Sequence, residues 1–454
     1  MPDKVNAVDD TIVAVSTPHG RGGLGVIRVS GPASQAIVER SFRSNEPFEF
    51  RRARYGTFQT EQDDSLDRVV VTFFKAPRSY TGEDVAEISA HGNPLILNMI
   101  VSTLVAGGAR RAGPGEFTLR ALAHGKMDLA QAEAVRDFIA AQTHTQARAA
   151  MLQMDGGLSK RVGPEKELLV GVIAGLEAGI DFAEDEIELP DPKQGADQIA
   201  AIGRNLEQLA DSFQYGRLLS SGLCLAIAGK PNVGKSSLFN RLVSNDRAIV
   251  TEFPGTTRDV LTETVAVGGV PIRFADTAGI REALDTVEAL GVTRTLAAVA
   301  EADLTLVVLD SSRAMDDDDR AVLEKVKDRP HVVVINKNDL PSQWEEAEEW
   351  NAVRVSALAG TGLEDLEREI SDCISERRPA DMETFVITNE RQQEALKVAV
   401  DKLQTAEKAL MAHVPHEMVL LDLYAALSAI GELTGEVASD DILDRIFSTF
   451  CVGK

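Results

Sequence analysis

Six apolar residues, Leu223-Cys-Leu-Ala-Ile-Ala228, run directly into Gly229-Lys-Pro-Asn-Val-Gly-Lys-Ser236, and the helix-forming stretch Ser237-Leu-Phe-Asn-Arg-Leu242 follows at once. An apolar run bounded by glycines reads as a buried parallel strand. Strand, glycine-rich loop and helix form the context that a phosphate-binding loop requires. Backbone N–H groups of Asn232, Val233, Gly234, Lys235, Ser236 and Ser237 then face phosphates at a helix N-terminus. Lys235 is expected to neutralise β/γ oxygens, and the Ser236 hydroxyl to ligate Mg²⁺. The alternative, a glycine-rich turn with no ligand, sits badly with Gly-Lys-Ser at this spacing after an apolar strand.

Three further motifs follow in order. Val270-Pro-Ile-Arg-Phe-Ala275 reads as a strand delivering Asp276-Thr277-Ala278-Gly279, where the carboxylate would hold Mg²⁺ through water and the Gly279 N–H would meet a γ-phosphate. His331-Val-Val-Val-Ile335 reads as a strand delivering Asn336-Lys337-Asn338-Asp339. Asp339 would accept from N1–H and the exocyclic amine of guanine, groups that adenine lacks, so the site rejects adenine. Val353-Arg-Val355 leads to Ser356-Ala357-Leu358, whose backbone would touch the guanine O6. The glycine-rich loop alone implies a nucleoside triphosphate; the ordered set implies GTP and its hydrolysis.

Between the first two motifs lies Thr251-Glu252-Phe253-Pro254-Gly255-Thr256-Thr257, where a switch threonine would complete Mg²⁺ coordination. An ordinary polar loop has the same spacing. Ile280 stands where a water-orienting glutamine is found in Ras-type enzymes, and isoleucine cannot position water. Hydrolysis then borrows a group from elsewhere in the chain, from a metal ion or from a second molecule. Arg281, Glu282 and Glu288 are candidates, and spacing does not choose among them.

A chain of 454 residues is too long for one domain, and about two to four are expected. No stretch is long and apolar enough to span a bilayer, and the first ten residues lack a signal-peptide apolar core. Cys224, Cys373 and Cys451 are odd in number and widely spaced, which excludes a disulfide framework or zinc motif. A cytoplasmic location is expected. The net charge of −24 argues against broad non-specific binding to nucleic acid, though not against a local basic patch. The acidic runs Asp316–Asp319 and Glu345–Glu349 read as solvated faces rather than metal sites.

Residues 1–120 read as an α/β domain, with strands at Thr11–Val15 and Val26–Val29 around Gly20-Arg-Gly-Gly23, a strand at Arg68–Phe74 and a helix at Pro94–Leu104. Residues 121–220 carry apolar positions at helical spacing, interrupted by an acidic loop at Glu184–Asp191. Residues 221–378 form a Ras-like P-loop domain, and 379–454 turn helical again. One helical domain with the P-loop domain inserted in it is the economical arrangement. The overall fold class is multidomain α/β plus α.

Gly20–Gly25 is no dinucleotide fingerprint, because a strand rather than a helix follows it. It reads either as a loop bringing Arg21 or Arg28 to an anion or as a tight hairpin. Cys451, in Phe450-Cys-Val-Gly-Lys454, reads equally as a reactive or a half-buried structural thiol.

The chain resembles the MnmE (TrmE) family of tRNA modification GTPases over essentially its full length. The resemblance rests on Gly20-Arg-Gly-Gly-x-Gly25 with Arg28, Thr81-Gly-Glu-Asp84 with Glu87 and His91-Gly92, Lys126 before Asp128-Leu-Ala-Gln-Ala-Glu133, the nucleotide motifs, and Asp441-Ile-Leu-x-Arg-Ile-Phe447 with Phe450-Cys-x-Gly-Lys454. It implies a carboxymethylaminomethyl or aminomethyl group added at C5 of the wobble uridine (U34) of certain tRNAs. The one-carbon unit would come from a tetrahydrofolate derivative (5-formyl or 5,10-methylene), and an FAD-binding partner of the MnmG (GidA) type would share the work in a heterotetramer or larger complex. It implies an N-terminal folate-binding-like domain that also makes a homodimer, with Arg28, Glu87, Lys126 and Lys454 at folate-contacting positions and Cys451 in the modification chemistry. It supplies an answer to the missing glutamine as well: K⁺ held by Asn232, Thr251, Phe253 and Thr256, Thr257 joining Ser236 on Mg²⁺, and Glu288 orienting water.

Two other readings compete. A regulatory, ribosome-associated GTPase commonly carries a basic RNA-binding domain with a Gly-x-x-Gly loop. Here the C-terminal block has only Gly431-Glu-Leu-Thr-Gly435 and is not basic. A free-standing folate-dependent transferase would leave the P-loop domain unexplained.

Overall fold

A computed structural model describes residues 10–47, 49–60, 62–181, 192–245, 265–275, 299–343, 352–377, 385–437 and 440–454. The sequence-identified Thr251–Thr257, Asp276–Gly279, Ile280, Arg281, Glu282 and Glu288, and the acidic stretches 184–191 and 345–349, lie outside the described residues.

The N-terminal part is built on alternation. In β5 (Ser65–Phe74) Val69, Val71 and Phe73 are buried while their neighbours are not, the period of a strand with one face on a core. The sheet contains β1 (Ile12–Val15), β2 (Gly22–Ser30), β3 (Phe42–Arg43), β4 (Arg54–Gln59), β5, β6 (Val85–Gly92) and β7 (Arg110–Arg111), in the order β3-β4-β5-β6-β2-β1-β7. All pairings are antiparallel except β1 with β7. Helices α1 (Ser34–Ser41) and α2 (Pro94–Ala106) cover one face, the latter capped by the Asn93 side chain and carrying proline at its first position. Their buried Ile37, Val38, Ile100 and Leu104 share one core with Val29, Phe58, Val71 and Ile88 of the sheet.

After α3 (Glu116–Ala123) the chain is helical: α4 (Leu129–Ala140), α5 (His144–Met154), α6 (Gly157–Asp181), α7 (Pro192–Asp211) and α8 (Phe213–Ser221). Asp128 with Gln131, and Thr143 with Gln146, form capping boxes that fix where α4 and α5 begin. Later in the chain come α12 (Glu390–Met411), α13 (His416–Thr434) and α14 (Asp440–Phe447). Leu169 of α6, Ile199 and Leu206 of α7, Leu396 and Leu403 of α12, and Leu423 of α13 fill a single core, so segments on both sides of the second sheet bury one another. Each such side chain contributes about 1.5–3 kcal/mol of transfer free energy.

The second sheet interrupts that bundle. It contains β8 (Leu223–Ala228), β9 (Val265–Val267), β10 (Val270–Phe274), β11 (Leu304–Asp310), β12 (His331–Asn336) and β13 (Val353–Arg354), in the order β13-β12-β11-β8-β10-β9. Only β9 with β10 is antiparallel. Every residue of β11 is buried, as a parallel strand covered on both faces requires. Helices α9 (Lys235–Asn245), α10 (Asp317–Val326) and α11 (Leu363–Ser375) belong to this unit. Chain order reverses at β8, where ligands bind beyond the carboxyl ends of strands in open α/β sheets.

Candidate functional site: a phosphate loop and a docked C-terminal segment

The loop between β8 and α9 lies at that switch point. Gly234 has φ 99°, a left-handed conformation, and a Cβ there would collide with Asn336 Nδ2. Lys235 Nζ folds back and donates to the carbonyls of Gly229 at 2.8 Å and Lys230 at 2.7 Å. Burial lowers the pKa of this ammonium. A half-buried cation whose hydrogen-bond partners among the described residues are neutral carbonyls fits a site whose counter-charge is a phosphate.

Asn336 closes the site from behind. It is 2 % exposed, its Nδ2 donates to Val233 O at 2.9 Å, and its Oδ1 accepts from Ala357 N at 3.0 Å. The side chain therefore braces the phosphate loop against the Ser356–Leu358 loop. Asp339 accepts from Ser356 Oγ at 2.5 Å, and that oxygen in turn accepts from Ala359 N at 3.0 Å. Lys337, at φ 66°, reaches Asp310 Oδ2 at 2.6 Å. Leu358 is 83 % exposed. Residues 232–237, 336–339 and 356–358 thus gather at the carboxyl ends of β8, β12 and β13.

The acidic run Asp316–Asp319 departs in part from a solvated face. Asp317 and Asp318 are exposed, but Asp319 is buried and Asp316 caps α10. The buried charge is tolerable because Lys230 of the phosphate loop pairs with both Asp316 and Asp319.

A second cluster lies on the N-terminal sheet. Arg28 of β2 is directly opposite Glu87 of β6, and its Nε and Nη2 donate to Glu87 Oε1 at 3.0 and 2.8 Å. The guanidinium sits 5.0 Å from the Tyr80 ring centroid and 5.8 Å from that of Phe117. Lys126 donates to Pro77 O at 3.0 Å, on the loop that carries Tyr80. The C-terminal segment completes the cluster. Phe447 and Phe450 are buried against Leu129 and Ala132, Gly115 N donates to Cys451 O at 3.3 Å, and Val452 bridges Pro114. Gly453, at φ 97°, packs on the backbone of Val15 and Ser16. Burial and then the positive charge of Arg28 lower the pKa of Lys454, opposed by Cys451 and Glu87. Lys454 is therefore an electrostatic neighbour of Arg28 and Glu87, although over 360 residues separate it from either in sequence, and of Cys451 in its own segment. Cys451 is exposed.

Sequence reasoning missed Tyr80 and Phe117 beside Arg28, and the buried pair of Glu83 with Arg120, 3.0 Å apart, which also engages Ser30 at 2.5 Å. Only Glu83 carried a signal, from its place in Thr81-Gly-Glu-Asp84. It also missed Lys230, whose partner lies 86 residues away.

Sequence comparison matches both halves of this arrangement. The model described as GTP-binding protein TrmE N-terminus covers residues 11–126, and that of the MnmE helical domain covers residues 129–451. The chain belongs to the MnmE family. Relatives named tRNA modification GTPase MnmE include that of Koribacter versatilis, 45% identical over 98% of this chain and 100% of that protein. The MnmE proteins of Aquifex aeolicus and Thermotoga maritima are 40% and 42% identical, again over 98% of this chain and 100% of theirs. As an MnmE-family member the chain is a P-loop GTP hydrolase, multidomain, with α/β and helical parts. No helix among the described residues is long and apolar enough to cross a membrane.

Proposed function

We propose that this MnmE-family chain couples GTP hydrolysis to modification of C5 of the wobble uridine (U34) in certain tRNAs. The product would be an aminomethyl or carboxymethylaminomethyl uridine. The chain would act as a cytoplasmic homodimer with an FAD-binding partner of the MnmG type. The observation that carries this reading is the C-terminal segment: it brings an exposed thiol, Cys451, and Lys454 to the Arg28–Glu87 pair. Two cations, one carboxylate and the Tyr80 ring suit a ligand that is aromatic and bears carboxylates, as a tetrahydrofolate derivative does. Bound there, the folate would supply a one-carbon unit. Arg28, Glu87, Lys126 and Lys454 would hold and orient it, with Cys451 beside it.

In the P-loop unit, Lys235 would hold the β/γ oxygens, and Ser236 and Thr257 would ligate Mg²⁺, with Asp276 reaching it through water. Asn232, Thr251, Phe253 and Thr256 would hold K⁺, a positive charge near the β–γ bridge that replaces an arginine finger. Asn232 already has φ 65°, a backbone conformation that turns the loop sharply at that position. Glu288 would orient the attacking water through a second water, which Ile280 cannot do. The four-part division at 1–120, 121–220, 221–378 and 379–454 belongs to the same reading.

One experiment addresses both halves. GTP turnover is measured in K⁺ and in Na⁺ at matched ionic strength, and wobble nucleosides are analysed by mass spectrometry after incubation with the flavin partner, tRNA and folate. Turnover at least about ten-fold faster in K⁺ and a modified wobble uridine are expected. Equal turnover in the two salts refutes the cation mechanism; unmodified uridine in the complete mixture refutes the modification reading.

A further inference from the structure

We propose that Lys230 is a positioning residue for guanine-nucleotide binding: gripped by Asp316 and Asp319, it fixes the backbone carbonyl on which Lys235 is seated. Lys230 Nζ lies 2.5 Å from Asp316 Oδ2 and 2.8 Å from Asp319 Oδ2. The backbone carbonyl of Lys230 accepts from Lys235 Nζ at 2.7 Å. One residue therefore joins the phosphate loop's lysine to the N-terminus of α10.

The anchor is stiff at both ends. Pro231 restricts the backbone of Lys230 to extended conformations, so holding its side chain limits how far its carbonyl can turn. On the other side the two oxygens of Asp316 divide their work. Oδ1 accepts from the backbone N–H groups of Asp318 and Asp319, both at 3.1 Å, capping α10, and Oδ2 meets Lys230. Asp319 is 5 % exposed, and its Oδ1 has no hydrogen-bond partner. A carboxylate this buried needs its cation, so release of Lys230 is costly and the loop stays tied to α10. The strand before α10, β11, presents the Val308 carbonyl against Gly229, so the loop is braced from one continuous segment. With Lys235 seated between the carbonyls of Gly229 and Lys230, its ammonium is held in advance where phosphate oxygens gather, which removes an ordering cost from nucleotide binding.

The inference rests on the GTP site, and its test separates the two. Binding of a fluorescent guanine nucleotide, mant-GDP, and steady-state GTP turnover are measured on the full chain for Lys230→Gln, Lys230→Arg, Asp316→Asn and the double variant Lys230→Gln/Asp316→Asn. Asparagine keeps the helix cap while removing the charge that meets Lys230. Lys230→Gln is expected to weaken mant-GDP binding about five-fold, which corresponds to about 1 kcal/mol, and Asp316→Asn by less, because Asp319 keeps its hold on Lys230. The double variant is expected to be no weaker than Lys230→Gln alone, because with the ammonium gone the Asp316 charge has no cation left to hold. Lys230→Arg is expected to stay within about two-fold of the unaltered chain. Unchanged affinity in Lys230→Gln, additive losses in the double variant, or an arginine variant as weak as the glutamine one overturns the proposal. An unaltered chain that binds no mant-GDP overturns the GTP site itself.

Discussion

Replacing Gly453 with alanine tests whether the docked C-terminal segment serves modification separately from GTP hydrolysis. At φ 97° an L-residue is strained by about 1–3 kcal/mol. A Cβ there would also overlap the Val15 carbonyl oxygen and stand 3.0 Å from Ser16 Cα, so the segment must shift. Shifting breaks the hydrogen bond from Gly115 N to Cys451 O, a loss of about 1 kcal/mol. Strain and lost bond together cost about 2–4 kcal/mol, which lowers the docked population about 30- to 1000-fold relative to the undocked one. Phe447 and Phe450 remain buried, so α14 stays in place and only the last residues are released. GTP turnover is expected to stay within about two-fold, while wobble-uridine modification with the flavin partner falls at least about ten-fold. Faster hydrogen exchange of the Gly115 amide reports the release without any activity assay. An alanine variant that keeps both the protection of Gly115 and full modification refutes the reasoning.

Two further outcomes are expected. Asn336→Ala removes the donor to Val233 O and the acceptor for Ala357 N in a buried setting, at about 1–3 kcal/mol for each stranded group. Titration with mant-GDP should show affinity reduced at least about ten-fold, and unchanged affinity would show that the brace is dispensable. Burial and Arg28 hold the Lys454 ammonium below its ordinary value of 10.5 when the segment is docked. Docking therefore binds fewer protons than release, so it strengthens as pH rises from the lowered value toward 10.5 and is constant at its weakest below that window. Gly115 protection, corrected for intrinsic exchange, should rise with pH in the unaltered chain and lose that trend in Lys454→Met; the same slope in both assigns the titration to another group.

Local signals carried much of the architecture. Gly-Lys-Ser after an apolar run located the loop between β8 and α9, and the runs at Val270–Ala275 and His331–Ile335 coincide with β10 and β12. These strands are legible because burial on both faces leaves nearly uninterrupted apolar sequence. The strand at Thr11–Val15 and the helix from Pro94 were equally legible, whereas the expected turn Gly20–Gly23 is cut short, since β2 already begins at Gly22. The two-residue edge strands β3 and β7 carried no such pattern; Phe42-Arg43 and Arg110-Arg111 are strand only because a neighbour pairs with them. The pairing of Lys230 with Asp316 and Asp319 was invisible for the same reason: each group reads locally as a solvated charge, and only the return of the chain through β11 brings them together.

By itself the sequence determined where the buried parallel strands and most helices fall, and which residue types stand at a phosphate loop, because those properties depend on neighbours within a few positions. It also determined family membership, carried by motifs from Gly20 to Lys454. Tertiary structure alone decided that Asn336 braces two loops, that Lys230 is tied to α10, and that Cys451 and Lys454 lie by Arg28 and Glu87. Those relations depend on contacts across tens to hundreds of residues. Loop closure over such distances leaves no periodic trace in the chain, and the two faces of each contact are specified independently.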